Sequence, residues 1–473
     1  MRVSKWPGAV LSAMTLTLLI EFCGCQGLPS NSTTKLNHII VMVQENRSFD
    51  SYFGQLPAYW AANGYPPQPL DGLPQNASNP SWNGSGTVAS YHFATQCIED
   101  LSPSWDESHL DWNLQEPISA TAAMNGFVWN AAKYAQNENA SGATPQYTDT
   151  NGIRAMGYYD SDDLNYYYFM ASNFATSDRW FSPVLDRTQV NQLYLFAATS
   201  HGYAYPPGTD PADNAPLSVN TIFDLLNDAG ISWKIYYSDD TCSTTGGNGD
   251  HPLSAGPCTY LTQFSNYAPP HPLPIDVVPV SEYFTDVQAG TLPAVAFIES
   301  GYMSGRDEHP NPMTNVQTGA AYVASLINAL MQSPSWADSV FILTYDEGGG
   351  LYDHVPPQPA VSPDKIAPID LPPGDICTSG TGANCDFNYT GFRVPLIVIS
   401  PFSKKNYVSH SVTDYTAILK LIETRFSLPA LTKRDAAQID MTEFFDFTKV
   451  PWATPPNPPA QNTGGACNPA ALE

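Results

Sequence analysis

The sequence predicts an α/β fold with a largely parallel central sheet, and three observations carry that expectation. Five short runs are continuously apolar and β-branched or aromatic, the pattern of strands covered on both faces. Segments with helical spacing of apolar residues separate those runs. No linker divides the chain, so the strand–helix alternation belongs to one domain with large loops.

The first run is Ile39-Ile40-Val41-Met42-Val43, and others follow at Ile231–Tyr237, Ala294–Ile298, Ser339–Thr344 and Pro395–Ile399. Thr221–Ala229 reads as a helix stopped by Gly230, because glycine takes the left-handed conformation that ends helices. Gln317–Met331 and Asp414–Phe426 repeat their apolar residues at helical spacing. A further helix is expected to start at Thr188 and run through Ala198, with Gly202 as its stop. Residues 55–100, 240–280 and 355–390 are rich in Pro, Asn, Gly and Ser and read as surface excursions.

The chain ends carry their own signals. Residues 1–25 read as an export signal: Arg2 and Lys5 precede an apolar stretch from Ala9 to Ile20, too short for a membrane span. Gly24-Cys25 resembles a lipoprotein cleavage site, with Glu21 and Phe22 fitting that pattern poorly. A polar leader over 26–36, a catalytic domain over 37–450 and a Pro-rich, loosely ordered tail over 451–473 complete the organisation. Export implies oxidised cysteines. Cys242 with Cys258, and Cys377 with Cys385, would close short loops, which leaves Cys97 and Cys467. Localisation is then secreted, periplasmic or lipid-anchored at the cell envelope.

With 45 acidic against 19 basic residues the formal net charge is −26. Such a surface repels nucleic acid and anionic membranes. It also repels phosphate, so a phosphate site needs local positive charge from a metal, His or Arg. An acidic habitat is a second reading of the same composition.

In open parallel sheets, ligands bind beyond the carboxyl ends of the strands. Glu45, Asn46 and Arg47 follow the first run; Glu299 and then Asp307-Glu308-His309 follow the third; Asp346-Glu347-Gly348-Gly349-Gly350 and Asp353-His354 follow the fourth. Glu45, Asn46, Asp346 and Glu347 form an oxygen set suited to one divalent ion, Mg²⁺, Ca²⁺, Mn²⁺ or Zn²⁺. Thr188 at a helix start is a candidate nucleophile, because the helix dipole and free N–H groups favour negative charge there. A plain helix cap is the alternative for that threonine. Asn191, about one turn on, could face the same phosphate.

The ten residues Glu45–Gly54 (ENRSFDSYFG) resemble the ENRSFDHYFG signature of the bacterial phosphoesterase family, which holds phosphatidylcholine-type phospholipases C and related acid phosphatases. Trp105-Asp106-Glu107-Ser108-His109, Asn125-Gly126-Phe127, Met156–Tyr159, Ser177-Asp178-Arg179, Gly230–Lys234, Asp307–Pro310, Asp346–Gly349, Arg393-Val394-Pro395 and Ser400-Pro401 follow in family order. The resemblance covers roughly residues 37–430. It implies an alkaline-phosphatase-like α/β/α sandwich with long loop insertions. It also implies metal ligands at Glu45, Asn46, Asp346 and Glu347 beside the nucleophile. Where the family reads like GP(T/S)xPNR, this chain has Asp186-Arg187-Thr188-Gln189-Val190-Asn191-Gln192, keeping the hydroxyl and the asparagine but neither proline nor the final arginine.

His109, His309 and His354 are expected around the phosphate, one protonating the leaving oxygen and another activating water. Asp178 would orient a histidine or position the helix. His38, His92, His251 and His271 read as structural, and His201 and His410 fit either role. The expected activity is metal-dependent phosphate-ester hydrolysis through a covalent phospho-Thr188 intermediate, phospholipase C-like. The substrate would be a phospholipid head group, with peripheral or anchored membrane association. An acid phosphomonoesterase acting on a small ester is the alternative. A non-catalytic exported binding protein on the same fold is the rival of another class. A sulfatase would need a C/S-x-P-x-R segment, which the sequence lacks.

Overall fold

The structure is a computed structural model that describes residues 1–3, 32–206, 216–242, 256–378 and 382–473. The export signal with Cys23 and Cys25, and His251, lie outside the described residues. Among the described residues no helix is long and apolar enough to cross a membrane.

Among the described residues, eight strands form the central sheet: β1 (His38–Gln44), β2 (Ala175–Ser177), β3 (Trp233–Tyr237), β4 (Val277–Pro279), β5 (Val295–Ile298), β6 (Ser339–Tyr345), β7 (Leu396–Ile399) and β8 (Tyr407–Ser409). Their order across the sheet is β8-β2-β7-β6-β1-β5-β3-β4. β1 pairs parallel to both β5 and β6, and β7 alone runs against its neighbours. The five apolar runs of the sequence are β1, β3, β5, β6 and β7. Ile39 to Gln44 and the whole of β6 are buried, as continuously apolar strands require. Full burial of each Ile, Leu or Phe there contributes roughly 1.5–3 kcal/mol. β2, β4 and β8 have three residues each, too few to register as runs in the sequence.

The helices that bear on the site are α1 (Phe49–Phe53), α2 (Trp105–Trp112), α3 (Phe127–Ser141), α4 (Asn165–Asn173), α5 (Thr188–Ala197), α6 (Ile222–Ala229), α7 (Val316–Met331) and α8 (Ala417–Phe426). α6 is bounded by a Thr221/Asp224 capping box and by Gly230 in the left-handed region, as its sequence predicts. Two expected boundaries differ. Ala198, at φ 57°, takes the left-handed cap of α5, so that helix ends well before Gly202. Thr413-Asp414 pairs with Trp180-Phe181 as a short ladder, so α8 begins at Ala417 rather than at Asp414.

Among the described residues, three disulfides join Cys242 to Cys258, Cys377 to Cys385 and Cys97 to Cys467. The third ties down the tail. Residues 451–473 lack helix and strand but are not loose. Trp452 packs on Phe174, Gln461 donates to the Asp163 carbonyl, and the Leu472 carbonyl accepts from Ala94 N–H. Polar backbone that finds fixed partners is held in place even without regular structure.

Candidate active site

Register decides what meets at the sheet edge. Gln44, the last residue of β1, lies opposite Tyr345, the last of β6, so Glu45-Asn46 and Asp346-Glu347 leave the sheet side by side. Asp346 Oδ1 accepts from the backbone N–H of Asn46 and of Glu347, both at 2.7 Å. Asn46 sits at φ 61°, a left-handed backbone that asparagine tolerates better than most residues. Gly349, at φ +68°, packs its α-carbon against that turn, and a Cβ there would meet the Asn46 carbonyl at 2.3 Å. The glycine run therefore serves a close approach of one chain segment to another. Glu347 Oε2 accepts from Gly349 N–H at 2.5 Å.

Burial pushes the Asp346 carboxyl up to about 6. Glu347 is pushed well above the usual carboxylate range, by burial first and then by the Asp346 charge. Asp346 Oδ2 and Glu347 Oε1 are buried and have no hydrogen-bond partner. Two orphaned carboxylate oxygens in a dry site are costly unless a cation satisfies them. With Glu45 and the Asn46 carbonyl oxygen they make an all-oxygen donor set, which fits a hard divalent ion.

Thr188 is the first residue of α5, preceded by Arg187 at the cap. Its Oγ1 donates to Asn46 Oδ1 at 3.0 Å, and the hydroxyl stands close enough to the Asp346 carboxyl to lower its pKa. The other end of the Asn46 amide, Nδ2, lies 3.2 Å from His309 Nε2. His309 Nδ1 is 3.0 Å from the Pro310 carbonyl, an acceptor, which assigns the ring proton to Nδ1. Glu45, Asn46, Thr188 and His309 face one cavity of about 90 Å³.

The remaining expected site residues lie elsewhere, and none of them lines that cavity. His109 is fully buried on α2, with Nδ1 at 2.6 Å from the Trp105 carbonyl and Nε2 at 3.3 Å from the Asn384 carbonyl. Burial lowers its pKa. It joins α2 to the Cys377–Cys385 loop instead of facing phosphate. His354 is held between carboxylates, Nδ1 at 2.7 Å from Asp50 Oδ2 and Nε2 at 3.1 Å from Asp71 Oδ1. The same cluster contains Arg393, fully buried and paired with Asp50 and Asp353. Asn191 spends its side-chain amide on the loop before α5. Its Nδ2 donates to the Asp186 carbonyl at 2.7 Å, and its Oδ1 accepts from Val184 N–H at 3.1 Å. Asp178 accepts from Asp71 N–H and pairs with His410.

Most of the cavity wall was not legible in the sequence. Arg187 is the one Lys or Arg among the described lining residues, and Tyr134, Tyr260, Tyr302, Asp100 and Glu138 complete much of the rim. Arg187 had a signal, its place beside Thr188. Tyr302 had another, four residues beyond the end of β5. Tyr134 comes from α3 and Tyr260 from the 240–280 excursion, and no local pattern encodes that either reaches the cavity.

The phosphoesterase family profile matches residues 36–429. Phospholipase C B of Mycobacterium tuberculosis (strain CDC 1551 / Oshkosh) is 31% identical over 470 residues, covering 91% of this chain and 80% of that protein. Non-specific phospholipase C5 of Arabidopsis thaliana is 28% identical over 430 residues, covering 84% of this chain and 72% of that protein. Among solved structures, a protein in the alkaline phosphatase superfamily from Vibrio parahaemolyticus aligns with a TM-score of 0.31 at 12% identity, covering 82% of this chain and 78% of that one. On the profile match and on the identity to the mycobacterial protein, this chain belongs to the phosphoesterase family.

Proposed function

We propose that the protein hydrolyses phosphodiesters of the phospholipase C type, with Thr188 as nucleophile and Glu45, Asn46, Asp346 and Glu347 as ligands of one divalent ion. The observation that carries the reading is the Thr188 hydroxyl, at a helix start, hydrogen-bonded to Asn46 Oδ1 and next to the Asp346 carboxyl, beside two orphaned carboxylate oxygens. When bound, the ion would neutralise phosphoryl oxygens and acidify a nearby hydroxyl.

The chain's own groups then divide the work. Thr188 Oγ1 attacks phosphorus in line, the P–O bond to the leaving alcohol breaks, and the hydroxyl proton has an acceptor in the Asp346 carboxylate. Arg187 and the first-turn N–H groups of α5 hold the phosphoryl oxygens. His309 is the imidazole in reach of the cavity: with both ring nitrogens protonated it can give the leaving oxygen the Nε2 proton, and the neutral ring, keeping its Nδ1 proton on the Pro310 carbonyl, can then take one from water attacking phospho-Thr188. The order of charges favours a diester with a cationic head group. Tyr134, Tyr260 and Tyr302 offer ring faces, and Asp100 and Glu138 offer negative charge, around the same opening. The two named phospholipases C among the relatives support that substrate class. The acidic surface and the export signal read from the sequence support action outside the cytoplasm, as a secreted, periplasmic or lipid-anchored enzyme.

The test compares p-nitrophenylphosphorylcholine with p-nitrophenyl phosphate as substrates for the wild type and Thr188→Ala, with each of several divalent ions supplied in turn. The diester should be preferred and the variant inert on both. Preference for the monoester would move the assignment to an acid phosphomonoesterase. Full activity of the variant would remove Thr188 from the chemistry.

A further inference from the structure

We propose that the loop between β5 and α7, residues 299–315, docks on a zwitterionic lipid surface and brings the cavity to the head groups there, an inference that rests on the phospholipase C reading above. The loop turns Tyr302 and His309 into the cavity wall. Near those two residues in the chain, it turns two apolar side chains outward: Met303 is 48% exposed and Met313 is 88% exposed. Single exposed apolar side chains are ordinary on protein surfaces. These two differ in where they stand. Met303 directly follows Tyr302. Met313, with Pro145, Tyr147 and Pro312, borders a second cleft of about 370 Å³ that shares Glu138 with the cavity. The segment that supplies the cavity's imidazole therefore also carries two exposed methionines, one of them on a cleft that adjoins the cavity. Methionine is flexible and polarisable, which suits an irregular boundary between head groups and acyl chains.

Size argues for contact with an intact bilayer. A cavity of about 90 Å³ is well below the roughly 300–1,000 Å³ of pockets that enclose drug-sized ligands. It has room for a phosphate and part of a head group, and none for acyl chains. A lipid phosphoester reaches Thr188 only if the chains stay in the membrane and the rim meets the surface. Charge selects the surface. Anionic leaflets attract clusters of Lys and Arg, whereas this protein carries a net −26 and has Glu99, Asp100 and Glu138 beside the opening. A phosphatidylcholine-like surface imposes no such repulsion.

The experiment uses the full chain, sedimentation with phosphatidylcholine vesicles, and rates on those vesicles and on soluble p-nitrophenylphosphorylcholine. Met303→Glu/Met313→Glu should bind vesicles and hydrolyse their lipid at least tenfold less well, with the soluble rate kept within twofold. The milder Met303→Ser/Met313→Ser should fall in the same direction. Replacing a third of the lipid by phosphatidylserine should weaken wild-type binding. Unchanged vesicle binding by both double variants, tighter binding to the anionic vesicles, or an equal fall on both substrates would overturn the proposal. Wild-type binding that is lost in the variants, without hydrolysis of either choline ester, would uphold the docking surface and reject the phospholipase C reading.

Discussion

Asn46 Oδ1 lies 3.0 Å from Thr188 Oγ1, and the opposite end of that amide lies 3.2 Å from His309 Nε2. One side chain, held by a left-handed backbone at the end of β1, thus spaces the hydroxyl from the imidazole. The relationship makes Thr188 replaceable without disturbing the fold, because Asn46 is anchored independently through its N–H to Asp346. Thr188→Ala should lower kcat by roughly 10³-fold or more, since loss of a nucleophile leaves only binding and electrostatic stabilisation. Far-UV circular dichroism and Tm should remain near wild type. Thr188→Ser should retain measurable turnover with the same metal dependence.

Metal binding should be readable as stability. At a free ion concentration of about 100 Kd, a ligand of the folded state adds about 2.7 kcal/mol. Asp346→Asn and Glu347→Gln should blunt that rise in Tm. The pH sign follows from Asp346, whose carboxyl is raised from 3.8 to about 6 by burial. In the metal-free protein, a raised carboxyl gives its stability below about 4 and loses it as pH rises through about 6. A cation must displace that proton, so affinity falls about tenfold per pH unit below 6 for each proton displaced. Chelated protein should therefore lose Tm between about pH 4 and 6 while metal-loaded protein gains it, and parallel curves would contradict this ligand assignment.

Gly349 is a position where even the smallest side chain should damage the candidate metal site. Its Cβ would meet the Asn46 carbonyl at 2.3 Å, and its φ of +68° is strained for any L side chain. Gly349→Ala should cost about 1–3 kcal/mol of stability and should weaken metal binding, because the Asn46 turn has to move. Gly374, also at positive φ but with open space around it, is the control. Gly374→Ala should keep metal affinity unchanged in the same titration.

The parts of this molecule that were legible in the sequence are those written locally. Continuous apolar runs identified β1, β3, β5, β6 and β7, and the polar residues just past β1 and β6 are the ones that meet at the edge. The quartet and Thr188 could be found because each follows a recognisable element boundary. The histidines could not be sorted the same way. His109, His309 and His354 each follow acidic residues, and sequence alone gives no measure of what lies opposite in space. Opposite His109 are two backbone carbonyls, opposite His354 are Asp50 and Asp71, and opposite His309 is Asn46. Asn191 was misplaced for a related reason. One turn along a helix is a correct spacing for facing a ligand, but its amide is consumed by the Val184–Arg187 loop that aims Thr188.

The three histidines should separate cleanly by pH. His309→Ala should lower kcat by about 10²–10⁴-fold, the usual contribution of a positioned acid–base group, with little change in Tm. His354→Gln and His109→Gln should act on stability instead, by about 1–3 kcal/mol each as buried partners are left unsatisfied, and in opposite pH directions. For His354 burial lowers the pKa, but the hydrogen bond and charge of Asp50 more than offset it, so the net shift is upward from 6.5. A raised histidine gives its stability below 6.5 and loses it as pH rises through the folded value. The gap in Tm between wild type and His354→Gln should therefore be wider at pH 5.5 than at pH 9. For His109 burial lowers the pKa outright, so the folded state holds the neutral ring and the unfolded state takes up the proton first. Its contribution is present above 6.5 and lost as pH falls, so the His109→Gln gap should be wider at pH 8 than at pH 5. Thermal unfolding of the two variants across that range, with metal held constant, gives the two slopes directly. Slopes of the same sign would mean that one of the two rings has been assigned the wrong surroundings.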